Sequence, residues 1–279
     1  MLLVTARFGT AKETAPFEFR DGDRVVFLGA TFIEREGNYG CFETLITAQN
    51  PDKKLTFRNL GWSGDTVEGD ARAYFGQPAE GYKNLIALLN ELKPTVILVG
   101  YGNNEAFAGD AGLPEFEKRL TKLCEDLEKH TKRIAFFAPL PHEGEFAADY
   151  NAKLPAYSAS LKTNADKRGY AWLGWRSLPE KLTYNGLHYD EPAYAILAQA
   201  GPWGTAAVDL DKPELRTLRK EIQAKNELFF HKWRPANQTY LFGFRKHEQG
   251  RNAKEMAEFD PLIAAAEANI AKQAKALAK

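Results

Sequence analysis

Cysteine is scarce in this chain. Cys41 and Cys124 are its only two, too few for a disulfide framework, and both fall in helical patterns where they read as small buried hydrophobes. No apolar run approaches the ~20 residues of a membrane span. The short apolar stretch at the N-terminus lacks the preceding positive charge of a secretory leader, so no signal peptide is expected in the sequence as given. Neither sign of charge is in excess: 37 Lys and Arg balance 37 Asp and Glu. That balance removes any general electrostatic argument for nucleic acid or an anionic membrane as partner. No histidine pair has the spacing of a metal site, so no metal is expected. With neither a Gly-rich phosphate loop nor a dinucleotide fingerprint, no cofactor is expected either.

What is present fits an α/β protein. The 279 residues suffice for one such domain with an ample core plus an appendage. Residues 24–28 form a continuous apolar run closed by Gly29, which reads as a buried parallel strand feeding a helix. Further strands are expected at 55–60, 95–99, 133–138 and 170–174. A short loop after Thr31, running through Gly37, leads to a helix at 39–49. Other helices are expected at 82–92, 114–129, 147–167 and 191–200, the fourth of these ending before Gly169 as a C-terminal cap. Such alternation implies a three-layer α/β/α arrangement around a parallel sheet. The divisions are an irregular arm over 1–20, the α/β domain over 21–205 and a helical C-terminal extension over 206–279. That extension has a helix at 213–233 and an Ala-rich one opened by Asp260 and Pro261 as N-cap and first helical residue.

In open α/β sheets ligands bind beyond the carboxyl ends of the strands. Thr31, Gly64, Asn104 and His188 each follow a strand or its loop, within Gly29-Ala30-Thr31, Gly61-Trp62-Ser63-Gly64-Asp65-Thr66, Gly102-Asn103-Asn104-Glu105 and Asn185-Gly186-Leu187-His188. In this order the four blocks resemble those of the SGNH (GDSL) hydrolase family, over about residues 23–200. The resemblance implies a flavodoxin-like sheet and serine-type ester hydrolysis. Thr31 would stand at the nucleophile, His188 at the base, and Asn185 at the residue that orients the base. The Gly64 N–H, the Asn104 amide and an N–H near Thr31 would hold the oxyanion.

Two positions depart from the family pattern. Its Asp-Ser pair stands here as Ala30-Thr31, and a β-branched hydroxyl is stiffer and more crowded in attack. Its last aspartate is replaced by Asn185, whose amide supplies no charge to an imidazolium; in serine proteases that change lowers the rate ~10⁴-fold. The implied activity is therefore hydrolysis of a small ester, such as an acyl group on a carbohydrate. The alternative is a catalytically silent domain of the same fold that binds a glycan or another polar ligand.

Several of these residues also have plainer readings. Thr31 suits a helix cap, Gly64 a turn requiring positive φ, Asn104 a left-handed loop position and His188 an exposed loop. Trp62, Glu105, His142, Trp233 and Arg234 are candidates for the substrate side. Aromatic faces beside arginines suit sugar rings, but they equally form the core of an appendage. His142 with Glu143 reads either as pocket lining or as a solvated loop pair.

Overall fold

A computed structural model describes residues 17–203 and 208–278. Most of the expected arm and the expected boundary at 205 lie outside these residues. Five strands, β1 (Arg24–Gly29), β2 (Thr56–Gly61), β3 (Val96–Gly100), β4 (Ile134–Phe137) and β5 (Ala171–Leu173), form one sheet in the order β2-β1-β3-β4-β5. Every pairing is parallel. This is the flavodoxin-like order, in which the strand sequence reverses between β1 and β3 and opens a crevice there.

The pleat of β1 divides the core. Val26 and Leu28 face one apolar layer with Leu85, Leu120 and Phe136, while Val25 and Phe27 face another with Phe42, Leu98 and Leu197. The first layer is covered by α3 (Pro78–Leu92), α4 (Gly109–Leu127) and α5 (Ala148–Arg168). On the second lie α1 (Thr31–Tyr39), α2 (Cys41–Gln49) and α6 (Glu191–Ala200). Gly169 ends α5 in the left-handed region at φ 71°, as its position in the sequence suggests.

The expected loop between Thr31 and Gly37 is not there; that stretch is α1. Ala30 is extended, and its carbonyl accepts the N–H groups of Ile33 and Glu34, so the helix begins at once. Gly40 at φ 65° then breaks the path, and α2 follows from Cys41. Gly37 sits inside α1, where its missing side chain leaves room for Asn59.

The seat of α1 depends on three strand-end glycines. Gly29 is in register with Gly61 on one side and Gly100 on the other. A Cβ on Gly61 would lie 2.0 Å from the Glu34 nitrogen, and one on Gly100 would lie 2.8 Å from Ile33 Cγ1. The helix therefore rests almost on the sheet backbone. That brings its first turn to the strand ends.

The C-terminal helices are α7 (Pro213–Trp233), α8 (Gln238–Leu241), α9 (Lys246–Gln249) and α10 (Phe259–Leu277). Residues 250–258 already run as 3-10 helix, so the chain enters α10 with helical backbone at Glu258. Asp260 is therefore not the cap expected of it. α7 packs beside β2, α1 and α2, and α10 lies along α7. The fully buried Lys225 of α7 donates to Glu43 of α2 at 2.9 Å and to the Phe57 carbonyl at 3.2 Å. Among the described residues no helix is long and apolar enough to cross a membrane.

Gly61→Ala drives a methyl into the backbone of α1, and overpacking of this kind costs about 1–3 kcal/mol or more. Urea unfolding is expected to show that loss; unchanged stability would mean α1 does not need its close seat.

Candidate active site

A cavity of about 140 Å³ opens at the carboxyl ends of β1, β3 and β4. Thr31, Arg35, Asn104, His142 and His188 all face it. Thr31 opens α1, and the first amides of a helix have no acceptor within it. The Ala30 N–H is tied to the Gly100 carbonyl at 3.2 Å. Gly64 holds φ 77°, a region glycine enters without strain, and its N–H points at Thr31 Oγ1 from 3.3 Å. Asn104 donates one amide hydrogen to the Asp65 carbonyl at 2.7 Å, which fixes the side chain and leaves its second hydrogen.

The loop carrying Gly64 and Asp65 is braced from within. Asp65 is fully buried and accepts from Arg72 and from Tyr101, each at 2.7 Å, while Arg72 also donates to the Leu60 carbonyl. Asn103 joins the ends of β3 and β4 by donating to the Leu140 carbonyl at 2.7 Å and to Tyr150 at 3.1 Å. These bracing groups escape a reading by motif because nothing in their spacing marks them.

His188 is held on a loop whose anchor is Glu143. This carboxylate accepts the Leu182 and Thr183 N–H groups and the Thr183 hydroxyl, and the Glu143 N–H donates to the Gly186 carbonyl. Glu143 is thus an anchor and not a solvated loop residue. Asn185 sets the chemistry of the ring. Its Oδ1 accepts the His188 N–H at 2.8 Å and the Leu187 N–H at 3.2 Å, so its Nδ2 is the atom facing His188 Nδ1, 3.1 Å away. An amide nitrogen only donates, so Nδ1 must accept and the proton of a neutral ring resides on Nε2. Burial and then the charge of Arg35 hold the imidazole below its ordinary pKa of 6.5.

His142 faces the same cavity, stacked on Tyr150 with ring centroids 3.8 Å apart. Burial and the neighbouring His188 lower its pKa. Phe107 and Leu187 form an apolar rim, 67% and 46% exposed.

Four expected substrate-side residues lie elsewhere. Trp62 is covered by Arg234, whose guanidinium lies 3.7 Å from the ring centroid, and by Trp233 at 5.6 Å. Arg234 is also paired with Glu34. Their faces are occupied by one another, which joins the end of α7 to the β2 loop. Glu105 does not face the cavity either. Its carboxylate accepts the Val67 and Gly102 N–H groups at 2.8 Å, stapling the loops after β2 and β3.

No family model matches the chain, and no curated protein matches it. Solved structures do. A gut microbial diltiazem-metabolizing enzyme superposes over 95% of this chain and 98% of its own, with TM-score 0.63 and 12% identity. A catalytic mutant of an acetylxylan esterase from Geobacillus stearothermophilus matches 68% of this chain and 94% of its own (TM-score 0.53, 18% identity). An α/β hydrolase enzyme from the metagenome of Lake Arreo, Spain, matches 65% and 94% (0.51, 17%). At such identities the likeness is one of fold. Coverage of 95% in the first case requires that it take in the C-terminal helices as well as the sheet.

Burial pushes the Glu105 carboxyl from 4.5 up to about 7. A carboxyl raised in the folded state stabilises it fully below pH 4.5, and that contribution is lost as pH rises through about 7. Stability of the wild type is therefore expected to fall over this window relative to Glu105→Gln, read by denaturant unfolding at each pH. Parallel pH profiles would contradict the assignment.

Proposed function

We propose that the chain is an ester hydrolase of the SGNH kind, acting on a small ester such as an acyl group on a carbohydrate. The observation that carries this reading is the convergence of a hydroxyl, a side-chain amide and an imidazole on one cavity, from the ends of separate strands, with the Gly64 N–H 3.3 Å from that hydroxyl. It is supported by the likeness in fold to an acetylxylan esterase whose catalytic mutants replace an aspartate and a histidine three positions apart. Asn185 and His188 have the same separation.

In this reading Thr31 Oγ1 attacks the carbonyl carbon while its proton passes to His188 Nε2. The carbonyl oxygen, now negative, is met by the Gly64 N–H, the second hydrogen of Asn104 and the Thr31 N–H. Donors of this kind are each worth ~10²–10³ in rate. The C–O bond to the alcohol then breaks, and the imidazolium returns its proton to the departing oxygen. A water, deprotonated by the same ring, hydrolyses the acyl-threonine and restores the hydroxyl.

The handicap lies at Asn185. His188 accepts a proton at Nε2 only in the tautomer that places hydrogen on Nδ1, against the Asn185 amide. Rotating that amide breaks its bonds to the His188 and Leu187 N–H groups. Turnover is accordingly slow. This same hydrogen bond favours the second reading, a silent binding domain in which His188 only donates.

Hydrolysis of 4-nitrophenyl acetate distinguishes the two readings. The hydrolase loses activity in both Thr31→Ala and His188→Ala, and its kcat/KM declines only below pH 6.5, where His188 takes a proton. Wild-type activity that is absent, or unchanged in both variants, contradicts it. Asn185→Asp is expected to raise kcat by up to ~10⁴, the factor by which the reverse change lowers it in serine proteases. A rate that stays level or falls would show that the amide does not hold the ring in the wrong tautomer.

A further inference from the structure

Arg35 was not expected at the site, yet it is the one fixed charge there. It follows Thr31 by four residues on α1, so both side chains lie on the same face of the helix. Long helical side chains lean towards the N-terminus, which carries Arg35 back over Thr31 and into the cavity wall. None of the residues facing the cavity is an aspartate or glutamate.

The partners of Arg35 are all neutral. Its Nη2 donates to Tyr184 at 3.2 Å and to Tyr39 at 3.4 Å, and the guanidinium lies 5.8 Å from the Tyr184 ring centroid. Its Nε is out of solvent with no acceptor among the described residues. The nearest acids are engaged otherwise. Glu34 accepts from Ser63 and pairs with Arg234. Glu36 accepts the Phe42 N–H inside the core, where burial pushes its carboxyl well above the usual carboxylate range.

The other groups on the cavity wall are donors too. Asn104, with one amide hydrogen still unused, and His188, with its proton on Nε2, line a space that has one cation and no anion. We propose that the ligand of this cavity carries a carboxylate held by Arg35, so that the proposed hydrolase prefers an acidic ester over a neutral one. The inference rests on the cavity being the ligand site, and it specifies the charge of the substrate. Arginine presents a planar fork to carboxylates, whereas the tyrosine hydroxyls steady it without neutralising it.

The test is binding without turnover. Propionate and propionamide have the same shape and differ in charge. Each is titrated into the wild type, Arg35→Gln and Arg35→Lys at constant chloride, and followed by the His188 ring resonances. Propionate is expected to saturate and to raise the His188 pKa, because a bound anion favours the imidazolium. Propionamide is expected to bind about ten-fold or more weakly. Arg35→Gln should weaken propionate by about the same factor, and Arg35→Lys by less, since it retains the charge but not the fork.

Equal binding of the acid and the amide to the wild type overturns the proposal without recourse to any variant. Competition by chloride as strong as by propionate also overturns it, since that would be bare attraction of charge. Undiminished propionate binding in Arg35→Gln does so as well. A chain that binds propionate as described but hydrolyses no ester would defeat the hydrolase reading and leave this inference standing.

Discussion

The contact on which this structure turns is the one between α1 and the sheet. Gly29, Gly61 and Gly100 lie side by side in three neighbouring strands, and a methyl on any of them would strike backbone or the Ile33 side chain. The absence of those methyls lets α1 descend until its first turn occupies the crevice where the strand order reverses. Thr31 and Arg35 owe their positions to that descent, and so does the Gly64 N–H that points at Thr31. A strand-end side chain would have served the stability of an ordinary sheet better. Here the strand ends give way to a helix terminus, and the site is built in the room that remains.

Around that terminus the loops are fixed by partly buried polar groups acting on the backbone. Glu105 joins the β2 and β3 loops, Asn103 the β3 and β4 loops, and Glu143 the β4 loop to the one carrying His188. Each joins two segments through N–H or carbonyl groups that would otherwise be unsatisfied, and unsatisfied buried groups are expensive. The cavity therefore has rigid walls. In the proposed hydrolase its donors are oriented before a ligand arrives, which is the condition under which such donors act strongly on developing charge.

The layered parallel fold was legible in the sequence because strands buried on both faces and helices with one apolar stripe have different periods. The candidate site was legible only where a residue's type announced its chemistry at a strand end, as with Thr31, Asn104 and His188. Arg35 was hidden because the helix was expected to start at 39, which left Thr31 and Arg35 in a loop with no common face. Trp62, Trp233 and Arg234 have the composition of a sugar platform, but composition does not say whether the faces are free, and here they cover one another. Glu105 and Glu143 are ordinary acids in sequence. Glu143 takes N–H groups from Leu182 and Thr183, and Glu105 takes one from Val67 besides the nearby Gly102, so the partners that matter lie far along the chain.

What the site can do depends on where one proton resides. The backbone N–H groups of His188 and Leu187 orient the Asn185 amide, and the amide orients the protonation of the ring. The most direct test is the ¹⁵N spectrum of the His188 ring in the wild-type protein above pH 7. The account predicts hydrogen on Nε2 and a bare, accepting Nδ1. Hydrogen on Nδ1 would contradict it, returning His188 to the state of a ready base and removing the handicap ascribed to Asn185.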